Sequence, residues 1–160
     1  NAPKRKEKYI FLYMLDYAYN PAPYIYELVE HLQKKTGFIV FSNVEMPKSL
    51  GIRYHSVADA GIEEFLQLIR DSALVVTSSF HGVAFSVNFG VPLLAVVPQE
   101  IQADTRLTSL LEQLELRKSI VRVGSTFDGL DGKYDKDREQ RLLSDLRRDS
   151  IDYLRVALSN

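Results

Sequence analysis

Six consecutive residues, Thr77, Ser78, Ser79, Phe80, His81 and Gly82, join a buried apolar run directly to an apolar helical pattern. A strand that turns straight into a helix leaves the first backbone N–H groups of that helix without a carbonyl one turn earlier. The helix start also carries about half a positive charge. Donors and dipole together suit a phosphate or a carboxylate. Ser78 or Ser79 can cap the helix, and Gly82 lets the backbone approach a ligand closely. His81 lies at the same junction and can act as an acid or base near neutral pH. The plain structural alternative is a histidine that closes the strand end or packs on the next loop. Arg106 opens a later helix, where a cation is poorly placed unless an anion sits nearby; its fork can grip a carboxylate or phosphate.

Ligands of an open parallel sheet bind beyond the carboxyl ends of its strands. That places Asp16 and Tyr17, with Tyr19, on the loop after the first strand, and Ser42 with Asn43 after the second. Tyr17 and Tyr19 could stack on a sugar. His31 falls outside the apolar stripe of its helix and is expected to face solvent, while His55 stands near the end of a weak third strand.

The elements that hold these residues follow from periodicity. Near-continuous apolar runs at residues 8–15, 38–41, 74–77 and 91–97 suit strands covered on both faces. Weaker strands are expected at 53–57 and 119–123. Between them, Ile25, Leu28, Val29 and Leu32 repeat at helical spacing, with Gly37 placed to end the helix. Ile62, Phe65, Leu66 and Ile69 repeat it, as do Leu107, Leu110, Leu111 and Leu114, the last group with Asp104 or Thr105 as N-cap. Residues 81–89 form a further helix, and 124–135 a loop. A charged helix spans 136–158, its stripe being Leu143, Leu146, Tyr153, Leu154 and Ala157. Strands alternating with helices predict right-handed crossovers and one α/β domain: a Rossmann-like, doubly wound parallel sheet of about six strands between two helical layers.

Composition narrows the function classes. Of 160 residues, 46% are hydrophobic and 26% charged, which fits one globular domain. The net charge of −1 lacks the basic excess of a dedicated nucleic-acid binder. There is no cysteine, hence no disulfide and no thiolate metal site. The first strand is followed by Asp16, Tyr17, Ala18, Tyr19 and Asn20 in place of a glycine fingerprint, against a dinucleotide dehydrogenase, and no P-loop is present. No metal and no cofactor are expected. The most apolar window contains His81, Asn88, Gly90 and Pro92, so no integral membrane segment is expected either. Asn1 and Ala2 read as the scar of a cleaved tag, leaving residues 3–160 as a single domain.

The stretch from Ile62 to Pro92, centred on Ser79-Phe80-His81-Gly82 behind Val75, Val76 and Thr77, resembles the polysaccharide pyruvyl transferase family. So does the stretch from Asp104 to Leu116, with a weaker match over the first strand and helix. The resemblance implies the C-terminal half of a glycosyltransferase-B-like enzyme. Such an enzyme would transfer the pyruvyl unit of phosphoenolpyruvate to sugar hydroxyls in surface-polysaccharide assembly. His81 then matches the motif histidine suited to acid/base work, and Arg106 the arginine that opens the later helix. The chain departs from the commoner family pattern at Ser79, where arginine is frequent, and at Phe80, where leucine is. The expected partners are phosphoenolpyruvate or a nucleotide-sugar donor, a glycan acceptor and an N-terminal domain of the same chain. The expected place is the cytoplasm or the inner face of the membrane. Two other readings fit the same residues: a glycosyltransferase using a nucleotide sugar, and a non-catalytic domain that binds a glycan or a protein.

Overall fold

The computed structural model describes residues 7–16, 19–100 and 105–159. Its strands are β1 (Tyr9–Tyr13), β2 (Ile39–Ser42), β3 (Tyr54–Ser56), β4 (Leu74–Thr77), β5 (Leu93–Val97) and β6 (Ile120–Arg122). Its helices are α1 (Tyr24–Thr36), α2 (Ile62–Arg70), α3 (Phe80–Phe89), α4 (Thr105–Gln113) and α5 (Lys136–Leu158). The strands form one six-stranded sheet in the order β3-β2-β1-β4-β5-β6, every neighbouring pair parallel. This is the doubly wound Rossmann-like α/β architecture that the alternating pattern predicts.

The sheet is apolar on both faces because each face has its own cover. Tyr9 and Phe11 of β1 pack with Leu68, Ile69, Val83 and Leu107 from α2, α3 and α4. Ile10 and Leu12, pointing the other way, pack with Ile25, Leu28, Val29 and Leu32 of α1. A strand with alternate residues in two cores must read as an unbroken apolar run. Gly37 ends α1 at φ 73°, its N–H bonded to the Gln33 carbonyl. The chain builds outward from β1 through β2 to β3, then returns to β4 and continues to β6 on the other side. The order reverses between β1 and β4, and it is at the carboxyl ends beside such a reversal that open α/β sheets bind ligands.

Several elements differ from expectation. β6 is preceded by a 3-10 turn, Arg117–Ser119, which takes up the start of the expected strand. Asp104, one of the two expected caps of α4, lies outside the described residues. His31 does not simply face solvent: it is half-buried, its ring 5.4 Å from that of Phe127. The apolar stripe of α5 holds only in its first half. Leu143 is buried and Leu146 packs against the core, yet Tyr153 and Leu154 are 73% and 54% exposed. Gln140 bonds to the Val87 carbonyl and Arg147 to Asn88, at the end of α3. A 23-residue helix is about 35 Å long, and beyond those contacts its last turns run past the domain.

Glu139, on the inner face of α5, is 1% exposed, and its Oε1 has no hydrogen-bond partner, while Oε2 accepts from Gln140. Burial holds its carboxyl above the ordinary value, opposed in part by the Gln140 hydrogen bond. The folded state therefore keeps this proton more tightly than the unfolded chain, where glutamate titrates near about 4.3. The stability contributed by this group is complete below that value and declines as pH rises toward the folded pKa. Glu139→Gln has no such titration. It is expected to gain on the wild type as pH rises from acid to neutral, by on the order of 1 kcal/mol, measured as paired urea midpoints across pH. A constant difference would show that the carboxyl is not strained.

Candidate functional site

At the carboxyl ends of β1 and β4, a set of hydrogen bonds extends the sheet beyond its last ladder pair. Thr77 is fully buried; its Oγ1 donates to the Tyr13 carbonyl at 2.7 Å and accepts from the Ser79 N–H at 3.0 Å. From the neighbouring strand, Asn43 takes the Met14 N–H on Oδ1 at 2.8 Å and donates Nδ2 to the Met14 carbonyl at 2.9 Å. Ser78 Oγ accepts from the Leu15 N–H at 3.1 Å and donates to the Leu15 carbonyl at 2.9 Å. Residues 13–15 are thereby gripped on both sides, and Asp16 emerges from the grip exposed. Its charge and, more strongly, burial raise the phenol of Tyr26 on α1.

Ser78 is thus a positioning residue for the β1 loop, and its hydroxyl does not cap α3. The cap position belongs to Ser79 (φ −102°, ψ 135°), which makes no side-chain capping bond. Its Oγ is buried without a partner. Its carbonyl accepts the Val83 N–H at 3.1 Å, so the amides of Phe80, His81 and Gly82 precede the first helical hydrogen bond. Gly82 does permit a close approach, but to the fold. A Cβ there would stand 2.4 Å from Thr77 Oγ1 and 3.0 Å from its Cβ.

His81 and Arg106 share one feature of this corner. The imidazole of His81 is exposed, its ring edge-on to Phe80 with centroids 6.1 Å apart. The guanidinium of Arg106, on the first turn of α4, stands over the same Phe80 ring at 5.5 Å. Phe80 is therefore a shared platform, and an aromatic ring attracts a guanidinium through its face as an aliphatic side chain does not. Tyr17 lies outside the described residues. Tyr19 spends its hydroxyl on the Val96 carbonyl, tying the β1 loop to the end of β5. His55 sits instead on the outer part of the sheet, stacked on Phe41 at 5.1 Å.

The sequence places Thr77, Phe80 and Asn43 at this end of the sheet, but the roles of Thr77 and Phe80 in building the site and of Asn43 as a clamp were not foreseen. An asparagine one residue past a buried strand offers both a donor and an acceptor to the neighbouring chain, and that was the available signal. Among the described residues no group of three or more histidines and carboxylates is placed to hold a metal ion. None of their helices is long and apolar enough to cross a membrane.

Comparison with known proteins agrees with this architecture. Solved structures that share the fold include a protein described as a UDP-N-acetylglucosamine 2-epimerase from Listeria monocytogenes, with TM-score 0.56 and 17% identity over 85% of this chain. The glycosyltransferase of kitacinnamycin has TM-score 0.53 and 16% identity over 92% of this chain. The calicheamicin glycosyltransferase CalG4 has TM-score 0.53 and 17% identity over 99%. The chain spans only 39%, 40% and 44% of those three chains. No curated protein matches it. The model of one family, polysaccharide pyruvyl transferase, matches residues 1–100, which takes in every element from β1 through β5 but ends before Arg106. With well over half its length inside that match, the chain belongs to the polysaccharide pyruvyl transferase family.

Proposed function

We propose that this domain is the donor side of an enzyme that moves the pyruvyl unit of phosphoenolpyruvate onto two hydroxyls of a sugar in surface-polysaccharide assembly. The observation that carries this reading is the start of α3. Its first amides have no side-chain cap, and an imidazole and a guanidinium stand on one phenylalanine beside them. Phosphoenolpyruvate carries a carboxylate and a phosphate. The amides of Phe80, His81 and Gly82 receive one of these groups through donors and dipole, and Arg106 grips it or the other in a fork. The Phe80 ring holds that guanidinium beside the α3 amides, where an anion would meet both.

Ketal formation adds a proton to the methylene carbon and joins one hydroxyl oxygen to the adjacent carbon. The second hydroxyl oxygen then displaces phosphate from that carbon, and the two hydroxyl protons leave to base and solvent. His81 brings an exposed imidazole to this corner and serves one of these transfers. Ser78 and Asn43 position the loop that carries Asp16. Tyr17, on that loop, remains a candidate contact to the sugar. We place the rest of the cleft, with the acceptor, in a second domain of the full enzyme, working in the cytoplasm or at the inner membrane face. The exposed apolar end of α5 and the coverage of about two-fifths of the structural neighbours support that placement.

The test is a thermal-shift titration of this chain with phosphoenolpyruvate and, separately, with a nucleoside diphosphate. A ligand at a hundredfold its Kd adds about 2.7 kcal/mol, several degrees for a domain of this size. Stabilisation by phosphoenolpyruvate that Arg106→Ala weakens at least about tenfold, the worth of a charge-assisted hydrogen bond, supports the reading. Stabilisation by the nucleoside diphosphate alone replaces it with a glycosyltransferase using a nucleotide sugar. Stabilisation by neither overturns a donor site in this domain.

A further inference from the structure

At the opposite, amino-terminal edge of the sheet lies a pocket that the pyruvyl chemistry does not use. It measures about 490 Å³, within the range of small-molecule sites, and is distant from the His81 corner by the depth of the strands, about 17 Å. Its walls are apolar: Leu32 from the end of α1, Phe38 before β2, Leu74 opening β4, Pro92 before β5, and Leu130 from the loop ahead of α5. Its lining also includes three lysines, Lys8, Lys35 and Lys133, all exposed.

Those lysines are not used up by the fold. Lys35 Nζ donates to the Leu130 carbonyl at 3.3 Å, and Lys8 Nζ stands 5.9 Å from the Phe38 ring. Among the described residues neither is ion-paired with a carboxylate. Lys133 Nζ lies 3.8 Å from Asp131, the one acidic residue of the lining, which is a loose contact. Helix polarity accounts for Lys35, in the last turn of α1. It does not account for Lys8 or Lys133, which lie on no helix.

The two features together limit the guest. A small hydrated anion would satisfy the ammonium groups and leave the apolar walls wet. A neutral hydrocarbon would fill the walls and gain nothing from the charges. We propose that the pocket binds an amphiphilic phosphate ester, its hydrocarbon against Phe38, Leu74 and Leu130 and its phosphate among Lys8, Lys35 and Lys133. This inference is independent of the donor site at the other edge. The shared chemistry is an alkyl chain on a phosphate, whether it arrives as a membrane lipid or as a soluble ester.

The experiment titrates the chain calorimetrically with ethyl, butyl, hexyl and octyl phosphate. Each buried methylene is expected to tighten binding roughly fourfold until the pocket is full, and added salt to weaken it. The double variant K8E/K133E, both positions being exposed, is expected to keep the wild-type urea midpoint and lose octyl phosphate binding at least about tenfold. Co-sedimentation with phosphatidylcholine vesicles, with and without phosphatidylglycerol, identifies the source. Capture that requires phosphatidylglycerol assigns a membrane lipid, and binding of octyl phosphate without capture assigns a soluble ester. Equal affinity for ethyl and octyl phosphate overturns the proposal. So does octyl phosphate binding that K8E/K133E leaves unchanged.

Discussion

Gly82→Ala is expected to destabilise the domain by about 2 kcal/mol or more, read as a lowered urea midpoint at unchanged slope. Alanine would ordinarily help at a helical position, since glycine costs up to about 1 kcal/mol relative to it there. Here the added methyl would stand 2.4 Å from Thr77 Oγ1 and 3.0 Å from Thr77 Cβ. Thr77 cannot move aside cheaply, because the same Oγ1 holds both the Tyr13 carbonyl and the Ser79 N–H. Overpacking costs roughly 1–3 kcal/mol, and each hydrogen bond lost adds about 1 kcal/mol, so the clash outweighs the helical gain. A double-mutant cycle with Thr77→Ala should recover part of the loss, because the hydroxyl is the nearest obstacle. A Gly82→Ala protein as stable as the wild type would mean that α3 is free to lift off β4.

His81→Ala carries the largest expected effect on activity. In the full enzyme, if His81 moves a proton in ketal formation, kcat should fall about 10²–10⁴-fold, while KM for phosphoenolpyruvate changes little. The imidazole is exposed and stands edge-on to Phe80, so the folded domain should be almost as stable without it. Loss of the wild-type pH profile would separate proton transfer from positioning. Arg106→Ala should show the complementary pattern, raising KM more than it lowers kcat. Ketal formation undiminished in the His81 variant removes the acid/base role and leaves a binding face.

The central strands were readable from residues because burial on both faces leaves few polar positions in them, and those at their ends, Ser42 and Thr77. Phe11 and Leu12 face different cores yet are equally apolar. The end of β1 was less readable. Its apolar run continues to Leu15, but the ladder stops at Tyr13. Beyond that point Asn43 and Ser78 replace backbone partners with side chains. For the same reason Ser78 looked like a helix cap: a serine ahead of a helix has the same composition whether its hydroxyl turns toward the helix or back toward β1. The outer half of α5 misled for another reason. Tyr153 and Leu154 repeat at helical spacing, and spacing alone does not say whether anything lies opposite them. Arg106 and His81 were legible as polar residues at strand-to-helix junctions, while the ring that brings them together was not, since Phe80 reads as core.

The clamp on residues 13–15 has an evolutionary consequence. Thr77, Asn43 and Ser78 hold that stretch through main-chain oxygens and amides alone. The exposed side chain of Asp16, just beyond the grip, takes no part in those bonds. Position 16 can therefore change without loosening the clamp that holds residues 13–15, so mutation there is free to drift while the scaffold beneath it stays intact.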